Sequence, residues 1–132
     1  MGIYKVIIKK IDWLDIECQE AEVLFDLGDS QYWAFCQPCK FKEGETANVS
    51  LPFIMSNDTS LETLFSNNDK EMKIDPSTSN RLSYYCYGKI TNINPVTADC
   101  GDILFDLGEM THDERVIGEY VYFVVDRLDI IN

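Results

Sequence analysis

Cys36 and Cys39, three positions apart, are the residues of this chain whose spacing points most directly to chemistry. A Cys-x-x-Cys pair can exchange disulfides when one thiol is held as the thiolate, or it can supply half of a tetrahedral zinc site. Zinc then needs two more donors. Cys18, Cys86 and Cys100 are single and His112 stands alone in a polar stretch, so the spacing offers no second knuckle. Carboxylates are plentiful, 23 Asp and Glu against 11 Lys and Arg, but they alternate with apolar residues as the solvent side of a strand does. That pattern singles out no acid–base pair. The nucleophile elbow, the phosphate-binding loop, the dinucleotide fingerprint and the HExxH zinc motif are all missing, and no metal or cofactor is expected. The remaining candidate is a surface. Trp13 stands in a stretch that reads as a turn, flanked by Asp12, Asp15, Glu17 and Glu20. An aromatic anchor ringed by acids suits an interface with a basic protein. A structural alternative is that Trp13 closes one end of the core.

The segment Tyr32-Trp33-Ala34-Phe35-Cys36-Gln37-Pro38-Cys39-Lys40 resembles the thioredoxin active-site stretch, an aromatic-Trp-Ala followed by Cys-x-Pro-Cys-Lys. The resemblance implies that Cys36 attacks and Cys39 resolves. It departs from the family in two places. One residue is missing between Ala34 and Cys36, and the segment after Cys39 runs through Gly44-Glu45 into a strand. That leaves no room for the helix whose N-terminus lowers the thiol pKa in that family.

The elements that must position these groups are strands. Ala21–Gly28 reads AEVLFDLG and Gly101–Gly108 reads GDILFDLG, with the tetrads 105 − 25 = 80 positions apart. In each copy apolar residues alternate and a glycine follows, which predicts a half-buried strand running into a turn. Gly-Glu before a strand also occurs twice, at Gly44-Glu45 and Gly118-Glu119. Pro38 and Pro95 end strands. Residues 82–94 read as a strand with Gly88 as a bend or bulge. The polar stretch 56–80 contains a capping box at Thr59-Ser60-Leu61-Glu62, predicting a short helix over Ser60–Ser66 with Leu61, Leu64 and Phe65 on one face.

The expected fold is all-β, about six to eight strands with one short helix. It forms a single domain over 1–132, built as two related halves, 1–55 and 81–132, about the connector 56–80, with one curved sheet wrapped around Phe25 and Phe105. Strands, a short helix, then more strands is similar to the OB-fold, a small Greek-key barrel. The runs IDWLD, EAEVLFD, FCQPCKFKEGE and VDRLDI resemble small uncharacterised bacterial β-barrel proteins, a likeness that implies no activity.

The net charge of −12 repels phosphate backbones and anionic lipid and attracts basic partners. Tyr84, Tyr85 and Tyr87 with Tyr32 and Trp33 could stack nucleobases, but Lys9, Lys10, Lys40, Lys42 and Lys89 are too diluted by acids to form a basic groove. The N-terminal apolar run Ile3–Ile8 is too short for a signal core or a membrane span, so a reducing cytoplasm with free thiols is expected. These readings converge on a non-enzymatic, acidic cytoplasmic protein-binding module, immunity- or antitoxin-like toward a basic partner. Trp13, Asp12, Asp15 and Glu17 would form its binding residues. The rival readings are a thiol–disulfide or zinc protein at Cys36 and Cys39, and an OB-type binder of single-stranded nucleic acid.

Overall fold

The computed structural model describes residues 2–57 and 60–132. The protein is mainly β. Among the described residues there are ten strands: β1 (Tyr4–Asp15), β2 (Glu20–Leu27), β3 (Ser30–Cys36), β4 (Thr46–Val49), β5 (Phe53–Met55), β6 (Lys73–Pro76), β7 (Tyr84–Ile93), β8 (Val96–Asp99), β9 (Leu104–Asp106) and β10 (Tyr120–Leu128). One short α-helix, α1 (Leu61–Leu64), lies among the described residues. The strands form a four-stranded sheet, β3-β2-β1-β4, and a six-stranded one, β5-β10-β7-β8-β9 with β6 also on β7.

The chain divides into two compact units. Unit 1 holds the chain up to Ile54 with Pro76–Tyr84 and Asp126–Asn132; unit 2 holds Met55–Asp75 and Tyr85–Val125. Phe25 is fully buried in the first and Phe105 nearly so in the second. The expectation that one sheet wraps both phenylalanines is therefore corrected. Each copy of the alternating strand pairs within its own sheet, β2 in the four-stranded one and β9 in the six-stranded one.

In unit 1, β1 pairs with β2 on one side and β4 on the other, and β3 lies on the far side of β2. The Gly28-Asp29 turn joins β2 to β3, with Leu27 opposite Ser30. Gly28 sits at φ 60°, a conformation that glycine adopts without steric cost. Residues 129–131 knit the edges together. Asp129 bridges Phe35 in parallel, Ile130 N–H donates to the Phe35 carbonyl (2.9 Å), and Ile131 bridges Ser50 antiparallel just beyond β4. Inside lie Val6, Ile8, Ala21, Val23, Phe25, Tyr32, Ala34 and Ile130. Tyr84 joins them: its hydroxyl accepts from Trp33 N–H (2.7 Å) and donates to Trp33 C=O (2.8 Å).

Four strands of the second sheet follow the same order. Its order β9-β8-β7-β10 matches β3-β2-β1-β4. In unit 1, Ile8 N–H donates to Glu45 C=O (2.9 Å) while Gly44 N–H donates to Ile8 C=O (2.7 Å). In unit 2, Ile90 N–H donates to Glu119 C=O (2.9 Å) and Gly118 N–H to Ile90 C=O (2.8 Å). Immediately after each isoleucine the long strand shifts register, between Ile8 and Lys10 and between Ile90 and Asn92. The Gly-Glu pairs are thus true counterparts, at φ 91° and 93°. The FDLG tetrads are not. The first pairs with β1, Phe25 opposite Ile8, on the second strand of its unit; the second pairs with β8, Phe105 opposite Ala98, on the third. Alternation ending in glycine specifies a strand and a turn, and leaves its place in the sheet to its partners.

Gly88 does not bend β7, whose irregularity falls after Ile90. It permits close approach: a Cβ there would lie 2.6 Å from the Asp99 carbonyl oxygen and 2.7 Å from Cys100 Sγ. Gly88→Ala is expected to lower stability by about 1–3 kcal/mol, read from the midpoint of urea unfolding, because backbone must move to admit the methyl. The helix begins one residue later than expected. Ser60 caps it, accepting from Thr63 N–H (3.2 Å), whereas Thr59 lies outside the described residues. Of the expected apolar face only Leu64 is buried; Leu61 and Phe65 are exposed. Buried Asn67 anchors the segment that follows, its amide donating to Glu71 C=O (2.9 Å) and Val121 C=O (3.0 Å).

Candidate functional site

The two units differ most in their first hairpin. In unit 2, Asn92 and Ile93 are the last residues of β7 to pair before the Asn94-Pro95 turn. In unit 1 the hairpin continues past the same register shift through Lys10, Ile11, Asp12, Trp13 and Asp15, turning only at residues 16–19. Trp13 therefore lies within a strand rather than a turn, opposite Ala21.

This added arm is apolar where a solvated hairpin has no need to be. Trp13 is 44 % exposed, Leu14 55 % and Ile16 73 %. The arm also carries Asp15 and Glu17, both exposed, and half-buried Glu20; Asp15 pairs with Glu20, on the side of the hairpin away from Trp13 and Ala21. The Asp15 carboxylate accepts from Cys18 N–H (3.2 Å), which holds its pKa below the usual range and closes the turn. Large exposed apolar groups of this kind are a common feature of protein-binding surfaces.

Asp12 belongs elsewhere. Residues directly opposite in an antiparallel pair share a face, and successive residues alternate. Asp12 faces Glu22, whereas Trp13 shares the side of Ala21. Arg81 joins the two carboxylates, its NH2 group 2.7 Å from Asp12 and its Nε 2.5 Å from Glu22. Its guanidinium also stacks 3.6 Å above the centre of the Trp33 ring. Donation from Arg81 holds the Asp12 carboxyl below its ordinary range. Arg127 repeats the arrangement two residues along, 4.4 Å over Phe35 and bound to Asp129 (2.7 Å). Sequence reading missed Leu14, Ile16 and both arginines. The excess of apolar residues in Trp13-Leu14-Asp15-Ile16 was the available signal for the first two; nothing local marks the arginines.

The stacking residues are largely spent on the protein itself. Tyr32 and Tyr84 are buried edge to face, 5.7 Å apart, and Arg81 covers Trp33. In unit 2, Tyr87 lies 4.9 Å from Tyr122 with the Lys73 ammonium 5.0 Å above its ring.

Cys36 and Cys39 are both 2 % exposed and unpaired by any disulfide. Burial, reinforced by Cys39, pushes the Cys36 thiol up to about 12. A thiol-exchange centre needs the opposite shift. Among the described residues no group of three or more His, Cys, Asp or Glu is placed to hold a metal. Alkylation of Cys36 in the native protein is expected to stay slow through pH 9 and to accelerate only toward pH 12, followed by peptide mass spectrometry over that range. A rate inflection below pH 8 would restore the thiol-exchange reading.

Among the described residues no helix is long and apolar enough to cross a membrane. The family model described as Uncharacterised conserved protein UCP019853 matches residues 3–132. The chain belongs to that family. No curated protein and no solved structure matches this family member. The match takes in both units and the arm.

Proposed function

We propose that this family member is a non-enzymatic, acidic cytoplasmic binding module whose β1–β2 arm docks a basic protein, in the manner of an immunity or antitoxin protein. The observation that carries the reading is the arm itself. One of two repeated units extends its first hairpin, and the added residues include Trp13, Leu14 and Ile16, held open to solvent beside Asp15, Glu17 and Glu20. A net charge of −12 favours encounter with a basic partner, and the apolar tip supplies the contact that desolvates on docking. Asp12 would act from the opposite face, through Arg81, by stiffening the arm.

We infer that unit 1 is OB-like. The ring β1-β2-β3-(129–131)-(50)-β4 has one parallel contact, between β3 and the last segment, in the manner of a five-stranded Greek-key barrel. That likeness alone does not favour nucleic acid, because the aromatic groups are stacked on the protein's own cations.

The test uses the full chain and a variant with serine at the three exposed apolar positions of the arm, Trp13→Ser/Leu14→Ser/Ile16→Ser. Wild type is expected to retain a basic protein that elutes as salt is raised, and the variant to lose it with its thermal unfolding unchanged. Equal retention by both would overturn the proposal.

A further inference from the structure

The arm leaves one edge of β1 without a strand beside it. β4 pairs with β1 only from Tyr4 to Ile7, and Glu45 and Gly44 carry the contact on to Ile8. Further along, Ile11 N–H points away from β2 and donates to the Glu43 carboxylate (2.9 Å). Ile11, Asp12 and Trp13 pair with β2 in unbroken register, opposite Val23, Glu22 and Ala21. Backbone groups alternate between the two edges of a strand, so Trp13 N–H and C=O lie on the same outer edge as Ile11 N–H. Among the described residues, exposed Glu43 is the one group bonded to this edge past Ile8. The opposite edge of the arm is covered, because β3 pairs with β2 as far as Ala21 and Cys39 N–H donates to Gln19 C=O (2.7 Å). The corresponding hairpin of unit 2 ends within Asn92 and Ile93 of its register shift and offers no such length.

A row of open N–H and C=O groups at a sheet edge is a template for another strand. We propose that the outer edge of β1 over Ile11–Asp15 is a strand-addition site for an extended basic segment of the partner. This rests on the arm being the contact surface and adds how the contact is made. Alternation dictates what such a segment carries. On one side of the arm its side chains meet Ile11 and exposed Trp13; on the other they meet Asp12 and Asp15. Asp12 is already held by Arg81 and Lys10, which leaves Asp15, with Glu43 at the edge itself, for the segment's cations. A carbonyl of the incoming strand replaces the Glu43 carboxylate on Ile11 N–H and frees that carboxylate to meet a cation. Apolar and basic residues in alternation fit these two sides. A second copy of this chain fits worse, because pairing two such edges sets the acids of one arm against those of the other, on chains of charge −12 each.

The probe is a blocked octapeptide of alternating lysine and valine, titrated into the isotope-labelled full chain and followed by amide hydrogen exchange in NMR spectra. At saturation, exchange of the Trp13 amide is expected to slow at least about tenfold, while that of Asp12, turned toward β2, changes little. An ester in place of the Trp13 amide keeps the indole, removes the N–H and should weaken binding about fivefold. An octapeptide of alternating glutamate and valine should not bind. Strand addition is overturned if the lysine peptide does not bind, if it binds and leaves the Trp13 amide exchanging at its free rate, or if the glutamate peptide binds equally well. A protein that dimerises with this amide already protected overturns it too. The triple-serine variant distinguishes this failure from that of the binding reading. If it loses the basic protein while the Trp13 amide stays unprotected in wild type, the arm is the contact surface and its edge is not used.

Discussion

Trp13→Ala is expected to weaken capture of the proposed basic partner by about 30-fold or more, the loss typical of a buried aromatic anchor at about 2 kcal/mol. The same variant unfolds within about 0.5 kcal/mol of wild type, since Trp13 is 44 % exposed and outside the core. That combination separates a binding role from closure of the barrel end. A core cap would cost stability and leave affinity alone. Charge reversal on the rim, Asp15→Lys with Glu17→Lys, should act differently, slowing association and flattening the salt dependence while changing dissociation little. Binding kinetics at two ionic strengths distinguish the two effects.

Phe105→Ala should cost about 3–5 kcal/mol of folding stability, measured by urea unfolding monitored with tryptophan fluorescence and far-ultraviolet dichroism. Phe105 is 2 % exposed and meets Phe123 edge to face at 5.4 Å, so truncation removes both buried area and a favourable ring contact. Its neighbour on β9 is the control. Leu104 is 51 % exposed, and Leu104→Ala should stay within about 0.5 kcal/mol of wild type. A small effect at Phe105 would mean that β9 does not pack as described.

Much of the secondary structure was legible because the signals are local. Alternation over residues 21–27 became β2, Pro38 ended β3, and Gly-Glu opened β4 and β10. The sequence offered two internal matches, and only one of them has matching places in the structure. FDLG is the more conspicuous repeat, yet only the Gly-Glu pairs hold equivalent backbone bonds to Ile8 and Ile90. Hydrogen bonds to a distant strand leave little trace in a short motif. The length of β1 was misread for the opposite reason. Asp12-Trp13-Leu14-Asp15 has the composition of a turn, and only pairing with Glu20–Val23 extends the strand through it. Asp12 illustrates the limit for the site. It is adjacent to Trp13 in sequence, yet strand alternation sends the two to opposite faces, and its partner Arg81 is 69 residues away. The exposed residues Leu14 and Ile16 were visible but unremarkable until the second unit showed that the hairpin can end without them.

The β1–β2 arm is the proposed contact surface. A photo-crosslinking residue is placed at Ile16, and in parallel at Asn92 on the corresponding shorter hairpin. One dominant covalent adduct is expected from position 16, to a basic protein, abolished by Trp13→Ala and reduced by salt, with none from position 92. Adducts of equal yield at the two positions, or an adduct at 16 indifferent to Trp13, would contradict it.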